Sequence, residues 1–219
     1  MTVLLFITMI IIFLGADFII QRKRSTVPIP HPTHQSFQPM RVPLGIFFSP
    51  SHTWLSLFPS GNVRIGVDEF VLRMMEKPEV VFLKNSGSET RRGEPLLQLK
   101  EGARTLTAHS PIDGEIVELN DSLRHHPEAL KEMLFSDGWA CTVRPKRLSD
   151  LTLMFLGEQT RTWIQQELGR LRDFIAGSSR TGSLVPAMLQ DGGLPVEGLL
   201  NHLDEDQCTR FEQQFMIVH

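Results

Sequence analysis

Residues 96–120 read LLQLKEGARTLTAHSPIDGEIVELN, and the alternation within this run decides the fold class. Leu97 and Leu99 alternate with polar neighbours, Gly102 interrupts the pattern and Leu106 resumes it, as two strands joined by a tight turn require. The spacing predicts a hairpin with its tip at Glu101 to Arg104. Ser110, Pro111, Asp113 and Gly114 then supply turn chemistry, proline presetting φ and glycine permitting φ > 0, before residues 115–119 alternate once more. Hairpin, turn and strand make a mainly β unit the expected class.

Strand signals continue on the amino-terminal side, at residues 46–48, 53–58, 63–67 and 80–83, with Pro59, Ser60, Gly61 and Asn62 as a turn. Asp68 is placed to cap a short helix running to Met75, whose Phe70, Val71, Met74 and Met75 form one apolar face. On the carboxyl side, residues 121–131 read as a short helix with Pro127 in its first turn. His125 and His126 are adjacent and diverge on a helix, which argues against shared metal ligation. Cys141 falls in an apolar strand pattern at 139–143 and reads as a buried structural thiol.

The 219 residues leave room for one ordinary domain with appendages, and a formal net charge of −3 gives no reason to expect nucleic acid. Two cysteines, Cys141 and Cys208, make no disulfide framework and suit a reducing compartment. Residues 2–20 are almost wholly apolar, enough for a helix of about 30 Å, and no basic n-region or small-x-small cleavage pattern suggests removal. Asp17 lies near the end that would reach the headgroups. Arg22, Lys23 and Arg24 follow at once, which predicts a single-pass membrane protein with its amino terminus outside and its main domain cytoplasmic. Residues 25–43 contain five prolines and read as an extended tether, in which His31 and His34 lack further ligands for a metal.

Beyond Pro145 the pattern turns helical. Ile164, Leu168, Leu171 and Ile175 make one face of a helix expected over 149–176, with Gly177 as its stop and a Gly- and Ser-rich linker at 177–193. Leu199, Leu200 and Leu203 precede Asp204, which is placed to cap a last helix with Gln207 at the capping-box position and Phe211 and Phe215 on its apolar side. These helices are expected to pack on the β unit, with partner docking as the alternative.

The run SPIDGEIVELN at 110–120 resembles the segment of the glycine cleavage system H-protein that follows its lipoyl-bearing hairpin. His52, Thr53 and Trp54 resemble the family's His-Glu-Trp opening, Val63–Val67 with Gly66 its Val-Gly-Ile strand, and residues 86–95 its Gly-Asp-x-Val-x-x-Gly-Asp turn. Residues 127–130, then Asp137, Gly138 and Trp139, then Val143, Arg144 and Pro145 are similar to its closing Pro-Glu-Leu, Gly-Trp and Lys-x-x-Pro pattern. The resemblance covers about residues 45–147. It implies a lipoyl-like barrel-sandwich hybrid of two sheets whose hairpin is presented to larger partner proteins. The organisation expected is therefore an anchor and basic flank at 1–24, a Pro-rich tether at 25–44, the H-protein-like domain at 45–147 and a helical C-terminal extension at 148–219.

One departure matters for chemistry. The family's lipoyl lysine precedes the serine of Ser-Pro by seven residues, and that position is Ala103 here. Lys100, three positions upstream where the family has a glutamate, is the only nearby alternative. Glu101 and Arg104 flank the tip and are expected as solvated turn charges. No Gly-rich phosphate loop, Gly-x-Ser-x-Gly elbow or cluster with metal-ligand spacing is found, and no residue nominates itself as nucleophile or base.

The expected function is a membrane-tethered, non-lipoylated scaffold or accessory subunit. It is expected to be no enzyme, to use no cofactor, metal or small-molecule substrate, and to bind protein partners through Glu101, Gly102, Ala103 and Arg104. The alternative is a lipoyl carrier modified at Lys100 and serving aminomethyl or redox transfer. A further alternative is an efflux-type adaptor, although the long helical hairpin of such adaptors is missing here.

Overall fold

The computed structural model describes residues 40–178 and 197–217. The short alternating runs become β1 (Ile46–Phe48), β2 (Thr53–Leu57), β3 (Val63–Val67), β4 (Glu79–Phe82), β5 (Glu89–Thr90), β6 (Pro95–Glu101), β7 (Arg104–His109), β8 (Gly114–Leu119), β9 (Cys141–Pro145) and β10 (Phe155–Leu156). One sheet has the order β10-β1-β2-β3-β9-β8-β5 and the other β4-β6-β7. All pairings are antiparallel; short turns join β1 to β2, β2 to β3 and β6 to β7, while β1–β10, β3–β9, β4–β6 and β5–β8 bring together strands that are not consecutive in the chain. The two-sheet, mainly β fold is the one expected.

Apolar side chains from the two sheets meet between them. Trp54 and Val67 of the larger sheet share a core with Val80, Leu97, Leu99 and Leu106 of the smaller one. Leu55, Ile65, Ile116 and Val143 form a second core with Leu151 and Met154. Trp54 lies opposite Gly66, and a Cβ at position 66 would stand 2.4 Å from the indole Cε2. Only glycine lets the ring lie against that strand. Gly114 is constrained likewise by the Arg144 carbonyl, 2.5 Å from where its Cβ would be.

Four helices complete the described residues: α1 (Glu69–Arg73), α2 (Ala129–Glu132), α3 (Glu158–Ser178) and α4 (Glu205–Phe211), the last continuing into a π-helical turn at Glu212–Met216. Asp68 caps α1 by accepting from the Val71 amide, and Asp204 and Gln207 close the expected capping box on α4. The C-terminal helices pack on the β unit, because Trp163, Ile164, Leu171, Phe211 and Phe215 belong to the same core as Trp54.

Four expectations need correction. Residues 121–131 are not one helix but a 3-10 turn at Asp121–Arg124 and the separate α2, since Pro127 disfavours helical backbone at His126. The helix expected from 149 starts at Glu158. Before it come a 3-10 segment, Leu148–Leu153, and β10, which pairs with β1 and covers an otherwise open edge, and Gly157 at φ 57° then turns the chain into α3. Gly177 lies inside α3 rather than stopping it. The end of the expected tether is also docked: Met40 is buried, and the Arg41 amide donates to Glu69 at 2.9 Å.

The apolar run at 2–20, the basic flank, most of the Pro-rich tether with His31 and His34, and most of the 177–193 linker lie outside the described residues. Among the described residues, no helix is long and apolar enough to cross a membrane.

Gly66→Ala should lower stability by about 1–3 kcal/mol, because the Trp54 ring must leave its place or the strand must shift. Urea unfolding followed by tryptophan fluorescence checks this; an unchanged midpoint would mean that the close packing of Trp54 on β3 is not a constraint.

Candidate functional site

The hairpin tip is a two-residue turn. Glu101 pairs with Arg104, and Gly102 at φ 58° occupies the first central position, where type II′ turns place glycine. Gly102 and Ala103 are exposed. Lys100 sits back in β6, between Thr105 of β7 and Glu79 of β4, and is half-buried.

Glu101 and Arg104 depart from the expected solvated charges, for each is half-buried and bonded to backbone far away in sequence. The Glu101 carboxylate accepts from the amides of Glu76 at 3.0 Å and Lys77 at 2.6 Å, and the Arg104 guanidinium donates to the Leu203 carbonyl. Further along β7, an edge strand, the Thr107 amide donates to the Glu212 carboxylate at 2.8 Å. The tip is thus braced on both flanks, and the outer edge of the hairpin is covered by the C-terminal helices. Of the four tip residues, two are presented to solvent and two hold them in place.

A second constellation lies within the core. Pro50 and Ser51 turn the chain between β1 and β2, with the His52 amide donating to the Ser49 carbonyl at 3.0 Å, and His52 takes the left-handed conformation at φ 59°. Among the described residues it is the one non-glycine residue with positive φ. Such backbone disfavours a side chain by roughly 1–2 kcal/mol and is held only where surroundings insist. The imidazole is fully buried, stacked on Phe70 at 4.3 Å with Trp163 at 5.0 Å. Its Nδ1 is 2.8 Å from Asp68 Oδ2. Its Nε2 is 3.8 Å from Glu167 Oε2, too far for a hydrogen bond, so Glu167 acts on it as a charge. Arg170 in turn holds Glu167 through contacts of 2.7 and 2.8 Å.

Burial pulls the His52 pKa down, but the Asp68 carboxylate, by charge and hydrogen bond, and then Glu167 more than offset this and raise it from 6.5 to about 9. Burial works against ionised Glu167 too, yet His52 and Arg170 hold its pKa below the usual carboxylate range. Because the folded value for His52 exceeds the unfolded one, its stabilising contribution is complete below about 6.5 and is lost as pH rises through about 9. Cys141 lies in β9 as expected, and burial pushes its thiol up to about 12, which makes it inert at neutral pH. Among the described residues, no group of three or more His, Cys, Asp or Glu side chains is arranged to hold a metal ion.

The family model described as glycine cleavage H-protein matches residues 46–167, more than half of the chain. This chain belongs to the glycine cleavage H-protein family. A glycine cleavage system H protein of Geobacillus kaustophilus is 28% identical over 129 residues, covering 58% of this chain and 99% of that protein. Another, from Coprothermobacter proteolyticus, is 26% identical over 125 residues, covering 57% and 98%. A crystal structure of a glycine cleavage system H protein from Mycobacterium marinum aligns with a TM-score of 0.43 at 22% identity, over 48% of this chain and 87% of that one.

The H-protein-family match takes in the hairpin, His52 and Asp68, and ends at Glu167. Sequence reasoning placed His52 only as part of a motif and missed its charge partners. Asp68 was visible as a helix cap, but nothing local signals that a carboxylate on α3 returns to the β1–β2 turn.

Removing the Glu101 carboxylate tests whether the tip is braced as described. Glu101→Ala should cost about 0.5–1.5 kcal/mol and speed amide exchange at Lys77, while Glu101→Gln, which keeps an acceptor, should cost less. Exchange at Lys77 that is indifferent to both changes would show that the contact does not hold the tip.

Proposed function

We propose that this chain is an H-protein family member that has kept the presenting hairpin and given up the lipoyl arm, working as a binding or accessory subunit rather than a carrier. The observation that carries this reading is the exposed pair at the tip. Gly102 and Ala103 offer no amine, and a lipoyl amide needs one. In register with the family's Ser-Pro motif, Ala103 takes the place of the lipoyl lysine. We include in the proposal a membrane anchor at residues 2–20, with the basic residues Arg22, Lys23 and Arg24 keeping the domain on the cytoplasmic side, where its protein partners would be met.

The carrier reading keeps one support of its own. The relatives are named as glycine cleavage system H proteins, and Lys100 lies in the same hairpin, half-buried. Against it stands the position of Lys100 inside the β4-β6-β7 sheet, from which an arm would leave the flank of the strand rather than the turn. Neither reading makes the protein a catalyst.

Intact mass decides between them. Protein made in a host with active lipoylation should carry no lipoyl increment, whereas an Ala103→Lys variant should gain one if the hairpin still meets a ligase. An increment mapped to Lys100 in the wild type would overturn the proposal and establish the carrier.

A further inference from the structure

We propose that buried Asp68, His52 and Glu167, together with the half-exposed Arg170, form a proton-dependent clasp that holds α3, and through it the 212–216 turn, against the β unit and the outer edge of the hairpin. It operates whether or not the tip carries lipoate. The four groups come from three places: His52 from the β1–β2 turn, Asp68 from the start of α1, and Glu167 and Arg170 from α3. With His52 protonated the set has two positive and two negative charges. Without that proton, a mostly buried cluster is left with a net negative charge, and Glu167 faces a ring nitrogen that no longer carries a positive charge.

The ring has little freedom to escape this. Phe70 lies nearly parallel on one face, Trp163 stands against it, and the Asp68 contact fixes Nδ1, so Nε2 keeps facing Glu167. Of the other described elements packed around it, the β1–β2 turn and the 212–216 turn present neutral groups. Ser49 and Ser51 hydroxyls are bonded to one another at 2.7 Å, and the 212–216 turn contributes the neutral ring of Phe215. Asp68 and Glu167 are the charged groups that set the proton's affinity, with Arg170 acting through Glu167.

The same chain leads outward to the hairpin. Arg170 donates to the Gln214 carbonyl at 2.7 Å and lies over the Phe215 ring at 5.0 Å. Phe174, one turn further along α3, packs edge-on to Phe211 and Phe215. Glu212, in that same turn, accepts from Thr107 on the edge of β7. Loss of the His52 charge therefore weakens, in order, the hold of α3, of the 212–216 turn and of the cover on β7.

The test uses the full-length protein, with the His52 ring followed by NMR and amide protection factors, corrected for intrinsic exchange, measured from pH 7 to 10. His52 should titrate with a midpoint near 9. Protection in α3 and at Thr107 should fall across the same interval, while Ile65 and Val143 in the β unit keep theirs. The chain has no tyrosine, so no phenol ionises in this interval to confound the reading. Glu167→Gln should move both midpoints down by about 1 unit or more, and this milder variant serves if His52→Gln does not fold. A His52 midpoint at or below 7, protection that stays flat with pH, or loss from α3 and the β unit together would each overturn the clasp.

Discussion

Burying an imidazolium is unfavourable by several kcal/mol unless opposite charge is buried with it, and the fold brings two carboxylates to His52. Asp68 arrives through sheet geometry: β2 and β3 are antiparallel with Thr53 opposite Val67, so the residues just outside that pair face one another. The Asp68 amide donates to the His52 carbonyl while its carboxylate takes Nδ1, which couples the turn to the start of α1. Glu167 arrives only if α3 lies across this end of the β unit. The place of the long helix and the pairing of Asp68 with His52 thus serve one constraint.

Hairpin and core cluster make different demands. Within the hairpin, Leu97, Leu99, Leu106 and Ala108 are buried and Gln98, Lys100, Thr105 and Thr107 are half-buried, a division that alternation produces, while Leu96 departs from it and is buried in the second core. Its tip needs more, since Gly102 and Ala103 have no side-chain reach and gain their position from Glu101 and Arg104. These bonds are charge-assisted and directed at backbone, so they constrain where the turn points more firmly than an exposed ion pair would.

What was legible in the sequence was local. The strands, the Asp68 cap, the capping box of Asp204 and Gln207, and the apolar face of α3 all depend on residues a few positions apart. What was not legible depends on distant partners. β10 has two residues and exists because β1 has a free edge to offer; no pattern in two residues could announce it. Glu101 and Arg104 looked like solvated charges because their acceptors and donors, at 76–77 and 203, lie well outside any local window. His52 was legible as a motif residue and Glu167 as a polar helix residue, but their meeting was not.

The covered edge of β7 bears on how a tip without an arm would engage a partner. A carrier with a swinging arm can reach past its own surface, and the placement of the turn is then a loose requirement. A turn of glycine and alanine offers only backbone and a methyl group, so contact requires the partner to come down onto the turn itself. On the reading proposed above, rigidity replaces reach. Any freedom left at the tip would be lost on binding, and that entropy would be subtracted from the affinity. Fixing the turn beforehand, through the Glu101 and Arg104 contacts and the helices behind β7, removes that loss. The C-terminal helices then do more than enlarge the core: by satisfying Thr107 and Arg104 they hold the hairpin in one position and withdraw its edge from pairing with other strands.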